Sequence, residues 1–110
     1  MIRMTWPEYQ RKECRVSGFR VRLSHIEAEI LMVMLMRYPR PTDILTLIEA
    51  VWPFPDDEPE AAYPAIYQHL HNLRAKVGSF RIARSGHHSW FELIQEPTGR
   101  ALYAALAFNR

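Results

Sequence analysis

The feature that most constrains this chain is Ile30 to Met36, ILMVMLM, seven apolar residues in a row. The run is far shorter than the roughly 20 residues that cross a bilayer as a helix. It shows no alternation, so it does not read as a half-buried strand. Ser24 precedes it, with Glu27 three residues on, the pairing that caps a helix N-terminus. Pro39 follows, and the residue before a proline avoids the helical region of backbone space. The segment is therefore predicted to be a helix, amphipathic in its first half and apolar all round in its second. Such a helix is buried on every side at the centre of a fold. The alternative is that Met32 or Met36 meets a partner subunit or the C-terminal segment.

The rest of the chain fits one small domain built around that helix. It has 110 residues, 48% of them hydrophobic, enough for a thin core. A lone cysteine, Cys14, excludes an internal disulfide framework. With no apolar leader in MIRMTWPEYQ, a soluble, cytoplasmic protein with no membrane contact is expected. The net charge of +2 conceals a segregation. Residues 1–40 carry eight Arg and Lys against four Glu; residues 41–60 carry six acids and no base; residues 61–110 return to six bases against two acids. Folding the acidic segment away leaves a positive face.

Other elements follow from local pattern. ECRVSGFRVRL, Glu13 to Leu23, is predicted to be a β-hairpin turning at Ser17-Gly18, with Arg20 and Arg22 on its polar face. Thr42 is predicted to cap a second helix, DILTLIEAVW, with Ile44, Leu45, Leu47, Ile48 and Val51 as its apolar side and Pro53 as its stop. PFPDDEPEAA reads as an exposed acidic loop. A third helix over about 64–77 has Ile66, Leu70, Leu73 and Val77 at spacings of four, three and four, and Gly78 as its stop. Its other side offers Tyr67, Gln68, His71, Asn72 and Arg74. A second hairpin is predicted over about 80–94, with Arg81 and Arg84 on its first arm. Thr98 is predicted to start an extra C-terminal helix.

Catalytic and metal motifs are missing. No nucleophile elbow, phosphate loop or HExxH motif occurs, so an enzyme is not expected. His69 and His71 are two apart on a helix and His87-His88 are adjacent, so neither pair has zinc-site spacing; no metal or cofactor is expected.

The order hairpin, helix, helix, acidic loop, helix, hairpin is the plan of a winged helix-turn-helix. Leu23-Ser24-His25-Ile26-Glu27-Ala28-Glu29-Ile30-Leu31 resembles the L-T-x-x-E-x-x-L-L opening of the effector domain of OmpR/PhoB-type response regulators. Arg37-Tyr38-Pro39 is similar to that family's R-H-P, and Leu47 to Trp52 to its L-x-x-x-V-W. Ile66 to Gly78 resembles the V-x-x-H-I-x-x-L-R-x-K-L-G of its recognition helix. The resemblance covers roughly residues 13–94. It departs at His71 and Asn72, where the family carries one or two arginines, and in a wing with a single glycine, Gly86. Too few residues precede Glu13 for a receiver domain, so phosphorylation control within this chain is not expected.

The resemblance implies an α+β fold: a three-helix core with an N-terminal β-hairpin, a C-terminal wing hairpin and an extra C-terminal helix. Residues 1–12 are set apart as an N-terminal arm, 13–94 as the winged-helix domain and 95–110 as a C-terminal helical extension. The function implied is sequence-specific binding of double-stranded DNA by a transcriptional regulator. The 64–77 helix would enter the major groove, and the wing would lie on the minor groove or backbone. Gln68 and Asn72, four apart, can each pair with adenine, and His71 and Arg74 with guanine or phosphate. Tyr67 suits a phosphate or a thymine methyl group. Arg20, Arg22, Arg81 and Arg84 are phosphate candidates. By the same resemblance Asp56, Asp57 and Glu58 are candidate contacts to RNA polymerase or another partner. So few bases predict binding as a homodimer or beside a protein partner. The alternative is a winged-helix module that binds protein, as adaptor, anti-repressor or inhibitor, without specific DNA binding.

Overall fold

The computed structural model describes residues 1–78, 80–85 and 88–93. They form an α+β fold with four α-helices and two small antiparallel sheets. The order is β1 (Ile2–Arg3), α1 (Trp6–Gln10), β2 (Glu13–Val16), β3 (Phe19–Arg22), α2 (His25–Arg37), β4 (Thr42–Asp43), α3 (Ile44–Val51), α4 (Ala62–Val77), β5 (Phe80–Ser85) and β6 (His88–Leu93). A single 3-10 turn, Pro55–Asp57, lies between α3 and α4. The helix expected over 98–110 lies outside the described residues.

In the first sheet β2 is central, flanked by β1 and β3. Ser17 and Gly18 connect β2 to β3, both with positive φ, 51° and 87°. That backbone matches the natural twist of a two-residue hairpin, and glycine adopts it without a Cβ penalty. The first twelve residues, set apart in the sequence as an arm, carry two elements of this layer. Ile2 pairs with Val16 and Arg3 with Arg15. Thr5 caps α1: its hydroxyl accepts from the Glu8 N–H at 3.3 Å, and the Thr5 N–H donates to Glu8 Oε1 at 2.9 Å.

The Ser24 cap forms as its spacing requires. Ser24 Oγ accepts from the Glu27 N–H at 3.1 Å, and Glu27 Oε1 accepts from the Ser24 N–H at 2.8 Å. Ile30, Leu31 and Met34 of α2 are buried, with α1, α3, α4 and β6 around the helix. Burial does not extend to the end of the apolar run. Met36 is 75% exposed and Met32 half-buried, which corrects the reading of that half as core on every side. Neighbouring elements cover one side of the last turn and leave Met36 facing out.

Two further expectations change at α3. Thr42 does not cap it. Thr42 is drawn into β4, opposite Phe91, and is fully buried. Asp43 takes the capping position instead, accepting from the Thr46 N–H at 2.8 Å. Leu45, expected on the apolar side, is exposed, because Ile44, Leu47, Ile48 and Val51 alone keep the i, i+3, i+4, i+7 spacing of one helix face.

β4 joins β6 and β6 joins β5, so the segment before α3 is stitched to the C-terminal hairpin. Ile66, Leu70, Leu73 and Val77 of α4 enter the same core as Leu31, Leu47, Phe91 and Cys14. Gly78 closes α4 with φ of 63°, its N–H donating to the Arg74 carbonyl at 2.7 Å.

Candidate nucleic-acid interface

α4 is one helix with two unlike sides. Its four apolar anchors are at most 4% exposed, so its rotation about its own axis is fixed. Gln68, His71, Asn72 and Arg74 are consequently exposed together. Gln68 Nε2 donates to Asn72 Oδ1 at 3.1 Å, one helical turn away. This bond uses one donor and one acceptor, leaving the Gln68 carbonyl, its second N–H and the Asn72 amide group open outward. Among the described residues no carboxylate lies within ion-pair distance of His71 or Arg74. The strip therefore presents forked amides, an imidazole and a guanidinium, groups that hydrogen-bond base edges and phosphates.

Tyr67 is placed differently from these four. It is half-buried, its ring edge-on to Phe91 at 5.9 Å and 66°, and its hydroxyl is hydrogen-bonded to Ser89 Oγ. Tyr67 ties α4 to β6. It thereby fixes how the hairpin sits beside the exposed strip, a positioning role that a helical wheel does not separate from an outward one.

Lys76 supplies a second tie. Its Nζ lies 2.6 Å from Oε1 of Glu27, whose side chain is only 4% exposed. Burial pushes the Glu27 carboxyl upward. The hydrogen bond and charge of Lys76, with the Ser24 cap, outweigh it and hold the group below the usual carboxylate range. The same carboxylate thus caps α2 and anchors the C-terminal turn of α4. Residues 49 apart make this pair, so only the folded chain brings it together.

The other candidates are distributed. Arg81 and Arg84 lie on β5, in register with Glu92 and Ser89 of β6; their side chains lie outside the described residues. Arg20 and Arg22 belong to the first sheet, which packs against α1, whereas α4 packs against α2 and α3. Arg20 is held by Glu13 at 3.1 Å. Asp56, Asp57 and Glu58 are all exposed, in and just after the 3-10 turn that precedes α4.

Cys14 is fully buried, and burial together with the nearby Glu8 carboxylate pushes its thiol up to about 11. A thiol that is protonated and inaccessible is no nucleophile. Among the described residues no cluster of three His, Cys, Asp or Glu is placed to hold a metal ion, and no helix is long and apolar enough to cross a membrane. In comparisons with known proteins, no family model, curated sequence or solved structure matches the chain.

Proposed function

We propose that this chain is a winged helix-turn-helix domain of the OmpR/PhoB type that binds double-stranded DNA and regulates transcription. α4 would lie in the major groove, and the β5–β6 hairpin would rest on the minor groove or the backbone. The observation that carries the reading is the exposed strip Gln68, His71, Asn72 and Arg74, set on a helix whose opposite side is locked in the core. The major groove admits an α-helix and shows each base pair a distinct donor and acceptor pattern. A rigid helix with two outward amides four residues apart is suited to it. The connection of β6 to β4 and of Tyr67 to Ser89 supports a hairpin held in fixed relation to that helix.

The DNA-contact set in this reading is Gln68, His71, Asn72 and Arg74 on the helix, with Arg81 and Arg84 from the wing. Asp56, Asp57 and Glu58 repel phosphates and serve a protein partner, RNA polymerase in the family this chain resembles. A homodimer would double the small number of bases in contact. A second reading, a winged-helix module for protein, draws on the exposure of Met36 and Phe54 and on the absence of arginine at positions 71 and 72.

Selection of bound fragments from random double-stranded DNA at low salt tests the choice. The expected result is one enriched motif, whose symmetry reports whether one copy or two bind. Failure to enrich any sequence, with no retention on heparin, contradicts DNA binding and favours the protein module.

A further inference from the structure

The register of the first sheet assembles a feature that no linear motif shows. Arg3 on β1 stands opposite Arg15 on β2, and Arg15 stands opposite Arg20 on β3. Residues directly opposite across antiparallel strands share a face, so three guanidiniums cross the sheet in a row. Arg22 lies two residues along from Arg20 and shares that face. Ile2, Cys14, Val16 and Val21 occupy the opposite face and pack inward.

Two carboxylates serve this surface, and both are fully engaged. Glu13 Oε2 takes Arg11 at 2.9 Å and its Oε1 takes Arg20 at 3.1 Å. Glu8 Oε2 takes Arg15 at 3.3 Å while its Oε1 caps α1. Five arginines therefore meet two carboxylates. Arg3 and Arg22 are exposed and make no ion pair with any described residue. Beside the row, Met1, Arg3, Arg15, Ser17 and Gly18 line a depression of about 200 Å³, several times the volume of a water molecule.

Like charges placed directly opposite on neighbouring strands destabilise a sheet. At Arg3, which stands opposite Arg15 and holds no ion pair with a described residue, a neutral polar residue would serve a solvent-facing strand as well without that cost. The positions hold arginine, whose planar fork matches phosphate oxygens in pairs. By its register the face carries no apolar side chain at the paired positions, so it lacks the greasy centre of a protein interface.

We infer that the outer face of the first sheet binds the sugar-phosphate backbone of nucleic acid, at Arg3, Arg15, Arg20 and Arg22, as a surface separate from α4. The inference goes beyond the α4 reading and does not need it. A chain with both faces holds two duplex segments, one read through bases and one gripped by charge alone.

The test is titration of the full chain with a short labelled duplex, followed by fluorescence anisotropy across a salt series. The variants are Arg3→Gln/Arg22→Gln and, separately, Gln68→Ala/Asn72→Ala. Arg3 and Arg22 hold no pair that folding needs; Arg3→Lys/Arg22→Lys keeps the charge and controls for shape. The wild type is expected to take up two duplexes per chain, and the arginine-to-glutamine variant to take up the second more weakly, through Arg15 and Arg20 alone. The slope of log K against log salt is expected to fall by about 2 in that variant, close to one unit for each phosphate contact removed. The lysine variant is expected to keep most of that slope. Unchanged uptake and slope in the glutamine variant overturn the sheet surface and leave the α4 reading standing. Loss of all uptake in the glutamine variant, with none in Gln68→Ala/Asn72→Ala, overturns α4 and supports the sheet. No uptake together with self-association abolished by Arg3→Gln/Arg22→Gln overturns the nucleic-acid assignment and makes an acidic surface of a second copy the occupant.

Discussion

The first sheet and α4 each present polar groups outward from one core, but with opposite chemistry. The sheet shows four arginines, three of them in a lateral row, partly held by Glu8 and Glu13. The outer strip of α4 shows two amides joined to each other, an imidazole and one arginine. Charge without donor–acceptor pattern gives affinity that falls with salt and does not depend on sequence. Pattern with little charge gives choice between sequences and little affinity. Composition alone, at net +2, averages the two and hides both.

The comparison is broken most severely by removing what holds α4 in place. Leu73 is fully buried beneath the strip. Leu73→Ala is expected to lower unfolding free energy by about 2–5 kcal/mol, measured by urea denaturation. Gln68→Ala sharpens the contrast instead. It should change stability by less than about 0.5 kcal/mol, the usual range for a surface change. It should weaken binding to the selected site by about 1–3 kcal/mol relative to random duplex, checked by competition in a mobility shift.

Lys76→Ala probes the tie that orients α4 on α2. It leaves Glu27 buried with the cap as its remaining support. Because the Lys76 side chain is 39% exposed, the expected loss is only about 1–2 kcal/mol. The pH dependence carries a sharper signature. The folded Glu27 carboxyl is held below its ordinary value, so its contribution is complete above the unfolded value and is lost as pH falls through the folded one. Lys76→Ala removes a cause of that depression and should flatten the acid-side loss of stability, read from thermal midpoints at pH steps below 5. Gly18→Ala is the smallest of the set and acts on the other region. At φ of 87° an alanine is strained, and the β2–β3 hairpin should lose about 1 kcal/mol.

How far the sequence discloses each region follows from how local its determinants are. The Ser24 cap, the Ser17-Gly18 turn, the α4 stripe and its Gly78 stop lie within a few residues of what they control. β1 and β4 are two residues long and are strands only because Val16, Arg15, Phe91 and Trp90 stand opposite them. That partnership drew Thr42 out of the cap and gave the position to Asp43. In the candidate interface, the stripe's period singles out Gln68, His71, Asn72 and Arg74. Tyr67 sits at the border of that stripe, and its inward turn depends on Ser89 and Phe91, 22 and 24 positions away. The arginine row depends on strand register, which spacing along the chain does not fix.

The central claim, that the exposed strip of α4 reads DNA, is tested most directly by mapping amide chemical shifts while a duplex recovered by selection is added. The expected result is that the largest changes fall on Gln68, His71, Asn72 and Arg74, and disappear when the duplex is replaced by a scrambled one at the same salt. Changes confined to the first sheet or to Met36 and Phe54, with α4 unmoved, would contradict it.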